Sequence, residues 1–297
     1  MTVDCMTVTD VNVVKSAIFE RPDDANKGTL GSLLCVCGSY GMAGAAVMSA
    51  KGALRTGIGL AKCALPRSIY PIVAQTILES VYYPLSENAD GRISKVNVPF
   101  LVSESCKSSA TLVGCGLGVC DDTLKIVFSL IENSTTPLVL DADALNCVAK
   151  QPEILLRKKA PIIITPHPGE MSRLTGLATP LVNAERERVA LDFAQKYGVV
   201  TVLKGAGTVI ASPNGKVLVN STGNSGMATG GSGDVLAGMT ASILAQGASA
   251  FSSAAAAVYL HGLAGDIAAE KYGKISMLPT DLINCIPLAY SSVYGGE

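Results

Sequence analysis

Short continuous runs of β-branched and aliphatic residues alternate along this chain with longer stretches of helical periodicity. Residues 33–37 read as a buried strand, and after Gly38, Ser39, Tyr40 and Gly41 a helix of small residues runs to about Arg55. Residues 111–113 are strand-like and lead into Gly114-Cys115-Gly116-Leu117-Gly118, followed by a helix opened by Asp121 and Asp122. Three more apolar runs each end in a polar cluster. Residues 137–140 end in Asp141-Ala142-Asp143, residues 161–164 in Thr165-Pro166-His167-Pro168-Gly169-Glu170, and residues 199–203 in Lys204-Gly205-Ala206-Gly207-Thr208. Strands that are apolar throughout need cover on both faces. Helices between them imply right-handed βαβ crossovers and a mostly parallel sheet. Ligands bind such sheets at the carboxyl ends of the strands, so the polar clusters are expected to converge on one rim.

After residue 203 the pattern changes. Two short runs, 208–211 and 216–220, flank Ser212-Pro213-Asn214-Gly215 and predict a hairpin. Three helices are then expected, at about 235–246, 252–271 and 281–291, the last with Thr280 as its N-cap. No repeat or low-complexity linker interrupts the chain. The expected fold class is α/β, a central mostly parallel sheet with helices on both faces and a C-terminal helical segment. Residues 1–297 are expected to form a single domain, with residues 1–26 a helical N-terminal extension packed on it.

Composition narrows the class. Of 297 residues 48% are hydrophobic and only 16% charged, with mean hydropathy +0.39. The longest apolar stretches are broken well short of the ~18 residues a membrane span needs, so the hydropathy is that of a small-residue core. A net charge of −1 provides no basic field for nucleic acid or anionic lipid. The nine cysteines are odd in number, form no C-x-x-C pair, and have only two histidines to complete a zinc site. No metal-ligating set is assigned. A reduced, cytoplasmic protein is the expectation, and the mixed, acidic first ten residues do not read as a signal peptide.

The chemistry concentrates in Asn224-Ser225-Gly226-Met227-Ala228-Thr229-Gly230-Gly231-Ser232-Gly233-Asp234. Glycines ahead of a helix let backbone amides approach an anion, and the helix N-terminus adds free donors and a positive dipole end. A phosphate is the natural guest. The Asp234 carboxylate would repel it, which leaves two readings open: a helix cap, or a base taking the proton of a hydroxyl that meets the phosphate. Asp141 and Asp143 have two readings, as caps of the helix that follows them, the preferred one, or as contacts to a metal or substrate. His261, within an alanine-rich helix, is read as a packed, hydrogen-bonded residue. His167 lies between two prolines at a strand end and is read as a site residue. No P-loop is present, since no G-K-[ST] occurs.

Residues 224–238 (NSGMATGGSGDVLAG) resemble the nucleotide-site motif of the ribokinase-like superfamily, in particular its NAD(P)H-hydrate dehydratase branch of stand-alone prokaryotic type. Lys27-Gly28-Thr29-Leu30-Gly31, Cys37-Gly38-Ser39, Gly44-Ala45-Ala46 and Ala53-Leu54-Arg55-Thr56-Gly57-Ile58-Gly59-Leu60 are similar to that family's opening pattern. Asp141-Ala142-Asp143-Ala144-Leu145-Asn146, the Thr165 to Glu170 segment and the Lys204 to Thr208 segment match in family order; together the resemblance covers about residues 27–290. One departure is Cys115, where the family usually has proline in G-P-G-L. The resemblance implies a lyase that removes water from hydrated NADH or NADPH, with ADP or ATP as co-substrate and Mg²⁺. It implies Asp234 as the catalytic base, Ala45, Gly116 and His167 at the hydrated dinucleotide, and Lys204, Gly205, Ala206, Gly207, Thr208, Asn224, Gly231, Ser232 and Gly233 at the nucleotide. A homo-oligomer, tetrameric or larger, is implied as well. The competing expectations are a vitamin-precursor kinase on the same scaffold and a non-catalytic nucleotide-binding protein.

Overall fold

The computed structural model describes residues 7–18, 21 and 23–295. Residues 1–6, 19, 20 and 22 of the expected N-terminal extension lie outside these. The strands are β1 Thr7–Val8, β2 Ser32–Val36, β3 Leu60–Pro66, β4 Val81–Leu85, β5 Ala110–Val113, β6 Leu138–Leu140, β7 Ile162–Ile164, β8 Val200–Leu203, β9 Val209–Ala211 and β10 Val217–Val219. They form one sheet in the order β1-β10-β9-β8-β7-β6-β5-β2-β3-β4. Among the described strands only β9 runs against the rest. The hairpin expected after residue 203 is its antiparallel pairing with β10.

The helices are α1 Val11–Lys15, α2 Ala43–Arg55, α3 Tyr70–Thr76, α4 Val98–Lys107, α5 Asp121–Asn133, α6 Asp143–Val148, α7 Pro168–Thr175, α8 Thr179–Ala184, α9 Arg186–Tyr197, α10 Ser232–Ala245, α11 Ala250–Tyr272 and α12 Pro279–Tyr294. Because strand side chains alternate between faces, Leu33 and Cys35 of β2 enter one core and Leu34 and Val36 the other. The first core is covered by α1, α2, α3, α10, α11 and α12. The second is covered by α4 through α9.

Strand order places the ligand crevice. From β2 the chain winds outward through β3 to β4, then returns to β5 on the other side of β2 and winds through β6, β7 and β8. The direction of winding reverses between β2 and β5, and a parallel sheet opens at that point. Gly38 N donates to Cys115 O at 2.8 Å across it.

Two helix starts differ from expectation. α10 begins at Ser232 rather than near Val235, so Ser232, Gly233 and Asp234 form its first turn. α12 begins at Pro279, with Leu278 as N-cap and Thr280 inside the first turn. Proline's fixed φ suits the first helical position, and the Asp281 carboxylate reaches back to accept from Leu278 N at 2.9 Å. No helix among the described residues is long and apolar enough to cross a membrane.

Candidate active site

The rim at the carboxyl ends of β5 to β8 carries a buried cluster of charge. Asp141, directly after β6, is 2% exposed and accepts from Lys204 Nζ and from Thr165 Oγ1, both at 2.6 Å. Lys204, directly after β8, also faces Glu170 Oε2 at 3.9 Å. The strands β6, β7 and β8 are adjacent, and Lys204 N donates to Pro166 O at 2.8 Å, so the sheet itself brings these groups together. Burial pulls the Lys204 ammonium down, and the Asp141 and Glu170 carboxylates outweigh it, leaving the lysine above its ordinary value and charged. Burial raises Glu170, against the pull of Lys204.

Asp141 and Asp143 do not cap α6. The N-cap position is Ala142, without a side-chain cap bond, and at φ +50° it is the only non-glycine residue with positive φ among those described. That turn sends the two carboxylates to different partners. Asp141 takes Lys204, while Asp143 accepts from Gly118 N at 2.8 Å and from Asn146 Nδ2 at 3.4 Å. A Cβ on Gly114 would overlap the Asp141 carbonyl oxygen, so only glycine allows β5 and β6 to end so close together.

Against this cluster α10 presents its N-terminus. Gly231 takes φ +102° at the N-cap with no side chain to bond the first-turn amides. Lys204 Nζ lies 3.5 Å from where a Cβ on Gly233 would stand. The helix start and the Lys204 ammonium thus lie side by side, and Ala228, Thr229 and Gly230 just ahead of the helix are exposed. Asp234 stands in the first turn without capping the helix, which removes the cap reading. Burial, and then the nearby Asp141 carboxylate, push its pKa up to about 6. Oxygens of Asp234 and Asp141 and the Cys115 sulfur all lie within 4.8 Å of one another. The thiol is 3.8 Å from Asp141 Oδ2. Its hydrogen bond with Cys37, and then burial, raise its pKa and keep it protonated.

The remaining residues singled out in the sequence fall around this centre. Ala45 of α2 faces Gly116, whose missing Cβ would come within 2.7 Å of the Ala45 Cβ. His167 is the N-cap of α7: Nδ1 accepts from Gly169 N at 3.0 Å and Glu170 N at 3.4 Å, and Glu170 Oε2 accepts from His167 N at 2.8 Å. An accepting Nδ1 places the proton of the neutral ring on Nε2, which lies 3.4 Å from Glu170 Oε1. Burial, then Lys204 and Arg173, lower the His167 pKa, so the ring is neutral near pH 7. Asn224 is committed within the protein. Its Oδ1 accepts from Gly226 N, and its Nδ2 donates to Gly265 O and Asp266 Oδ1, all at 2.9–3.0 Å. It shapes the loop from α11 rather than offering a free amide. Gly205, Ala206, Gly207 and Thr208 form the β8–β9 turn, with Thr208 Oγ1 donating to Gly205 O at 3.0 Å. Ser232 Oγ lies 3.4 Å from His261 Nε2, and the same nitrogen donates to Ser232 O at 3.0 Å. His261 is packed and hydrogen-bonded as expected, and burial lowers its pKa to about 4.

Sequence reasoning passed over Glu170 as a site residue, although H-x-x-E at a helix start is the spacing of a capping box. It also left the Asp141–Lys204 pair unjoined, because adjacency of β6, β7 and β8 is a property of the sheet.

The family model described as NAD(P)H-hydrate dehydratase matches residues 33–288. The chain is 40% identical over 269 residues, 91% of its length and 51% of the relative's, to a bifunctional NAD(P)H-hydrate repair enzyme Nnr of Thermofilum pendens. It is 36% identical over 256 residues, 85% of its length and 82% of the relative's, to an ADP-dependent (S)-NAD(P)H-hydrate dehydratase of Neisseria meningitidis. The chain spans about half the length of the bifunctional relatives. Its fold matches the ADP/ATP-dependent NAD(P)H-hydrate dehydratase from Bacillus subtilis, co-crystallised with ATP/Mg²⁺. The TM-score is 0.84, at 29% identity, covering 97% of this chain and 99% of that one.

Proposed function

Because the chain belongs to the NAD(P)H-hydrate dehydratase family and has its ribokinase-like fold, we propose that it removes water from hydrated NADH or NADPH, with ADP or ATP as phosphoryl donor. The observation that carries this reading is Asp234: a half-buried carboxylate in the first turn of α10, doing no capping, beside a helix end and a buried ammonium built to receive phosphate.

Hydroxide is a poor leaving group near neutral pH. Phosphorylating the C6 hydroxyl turns it into a good one: the ring nitrogen's lone pair expels phosphate to leave an iminium ion, and loss of the C5 proton to solvent then re-forms the C5–C6 double bond and returns the pair to nitrogen. Asp234 takes the hydroxyl proton. At a pKa of about 6 it is still mostly ionised at pH 7, and more basic than an ordinary aspartate. The first-turn amides of α10 and the Lys204 ammonium stabilise charge on the transferring group. Asp141 and Glu170 hold Lys204 in place. Ala45, Gly116 and His167 border the space assigned to the hydrated dinucleotide, and residues 204–208 with Gly231, Ser232 and Gly233 that assigned to the nucleotide.

Mg²⁺ finds no oxygen cage here. The one cluster of potential ligands among the described residues includes a thiol, and its Asp141 carboxylate is already bonded to Lys204 and Thr165. The ion would arrive on nucleotide phosphates and water, and no step is assigned to it. The reading extends to a cytoplasmic homo-oligomer, tetrameric or larger. Exposed Tyr70, Ile72, Leu78, Val81 and Phe100, on and beside the edge strand β4, support an interface; light scattering tests it.

The deciding assay incubates the protein with hydrated NADH, Mg²⁺ and either ADP or ATP, and follows the return of NADH absorbance. Recovery is expected with at least one nucleotide, and its absence with both overturns the reading. Asp234→Asn is expected to abolish turnover while nucleotide binding persists; an active variant removes Asp234 from its role.

A further inference from the structure

Arg186 is the first residue of α9, and its guanidinium lies beneath the turn that joins β8 to β9. Its Nη2 donates to Leu203 O at 2.8 Å and to Gly207 O at 3.4 Å, bridging the start of that turn to its far side. Nη1 lies 2.6 Å from the position a Cβ on Gly205 would occupy, and Gly205 itself takes φ +148°. A side chain at Gly205 would therefore collide with the guanidinium. Among the described residues no carboxylate pairs with Arg186: Glu185, beside it, pairs with Arg188. Its Nε is buried with no hydrogen-bond partner.

A half-buried cation with no carboxylate in direct contact is costly: burial lowers the Arg186 pKa, against the opposing pull of the nearby Glu187 carboxylate. Two carbonyl oxygens alone do not call for a cation, since neutral donors satisfy backbone acceptors elsewhere in the molecule, as Gln246 does for Thr56 O. What the planar guanidinium supplies is a rigid bridge. It ties both limbs of a turn that carries Lys204 at one end and Thr208 at the other, and whose own closure is the Thr208–Gly205 bond.

We propose that Arg186 is a positioning residue for the nucleotide: by bridging Leu203 O and Gly207 O it fixes the shape of residues 204–208 and so presents their amides to the bound phosphates. This rests on the assignment of that turn to the nucleotide site. The Arg186 hydrogen bonds go to the backbone of the turn, and Lys204 Nζ is held separately by Asp141 Oδ1, so the loss of Arg186 acts on nucleotide affinity and spares the chemical step.

The test compares Arg186→Lys, which keeps the charge without the bridge, and Arg186→Gln with the wild type. Dissociation constants for ADP and ATP come from calorimetry, without turnover. Steady-state parameters and amide hydrogen exchange complete the set. Expected for both variants are a rise of about tenfold in the nucleotide dissociation constant and KM, kcat within about threefold, and an unchanged KM for the hydrated dinucleotide. Exchange should quicken at residues 204–208 and stay slow in β8 and α10. Unchanged nucleotide affinity in a folded variant overturns the proposal. So does a parallel loss of kcat and both affinities with exchange quickened throughout, which marks Arg186 as a general stability residue. If wild-type protein binds neither ADP nor ATP, the nucleotide assignment fails as well; variant behaviour alone leaves that assignment standing.

Discussion

The two helical layers over this sheet are packed by different means. Where α2 crosses α10 the backbones almost touch: a Cβ on Gly238 would overlap the Ser49 carbonyl oxygen, and one on Gly52 would stand 2.7 Å from Val235 O. Ala45, Ala46, Ala50 and Ala53 of α2 are buried in the same core. The opposite layer is built from long aliphatic and aromatic side chains, such as Ile126, Leu130 and Ile131 of α5 and Phe193 of α9. The difference bears on function. A side-chain interface can relax around a change, whereas backbone-to-backbone contact fixes the position of a helix. The helix so fixed is α10, whose first turn carries Asp234.

The largest test of that contrast is a matched pair of substitutions. Gly238→Ala adds one methyl group to the small-residue seam and forces α2 and α10 apart. We expect a loss of about 3 kcal/mol in denaturant unfolding, despite alanine's better helix propensity, and a loss of more than tenfold in kcat as Asp234 moves. Leu130→Ala in the other layer is expected to lose a similar ~3 kcal/mol with kcat of the folded enzyme unchanged. Equal loss of kcat in both would show that the layers do not differ in this way.

The next effect reads the strain held at the end of that seam. Asp234 titrates at about 6 in the folded chain, against an ordinary 3.8. Folding therefore favours its protonated form, and its charge opposes stability increasingly as pH rises from about 4 to about 6, and fully above that. Asp234→Asn removes the opposition. It is expected to match wild type below pH 4 and to exceed it at pH 7 by on the order of 2–3 kcal/mol, while losing activity. For the wild type, kcat/KM should fall about tenfold per pH unit below pH 6 as the base is protonated. A variant no more stable at pH 7 than at pH 4 relative to wild type would mean that Asp234 carries no such strain.

A smaller effect is expected at His261, which joins α11 to the first turn of α10 by donating to Ser232 O. His261→Leu leaves that carbonyl without its second partner and should cost about 1 kcal/mol and several-fold in kcat. His261→Gln, which keeps a donor, should recover most of both. If leucine and glutamine behave alike, the bond does not steady the helix start.

How much of this was legible in the sequence follows from where each feature is encoded. The parallel sheet and its polar rim were, because apolar strands running straight into Asp141, Thr165 and Lys204 are local patterns. β3 and β4 were not set out as strands. β4 lies at the sheet edge with Val81 and Pro84 exposed, and lacks the continuous apolar run of a central strand. The first turn of α10 looked like loop, because glycine and serine carry little helical signal, yet Val235 N already donates to Gly231 O. Asp141 and Asp143 sat where caps sit, and only the turned backbone at Ala142 and the neighbouring strands gave them other partners. Arg186 lies in Glu185-Arg186-Glu187-Arg188, where nothing local distinguishes it from Arg188.

The smallest effect concerns Cys115, at the crevice where the two layers meet. Its side chain is fully buried, and its backbone oxygen accepts from Gly38 N. The thiol hydrogen-bonds to Cys37 and approaches Asp141 and Asp234, and both contacts vanish in the variant. Cys115→Pro is expected to gain up to about 1 kcal/mol from a stiffer unfolded chain, less whatever those contacts contribute. Without the thiol beside it, Asp234 loses a hydrogen bond that lowers its pKa, so the acid limb of the kcat/KM profile should move to higher pH by a fraction of a unit. An unmoved limb in a fully active variant would mean that the thiol does not touch the base, and that the crevice is tuned by its carboxylates and Lys204 alone.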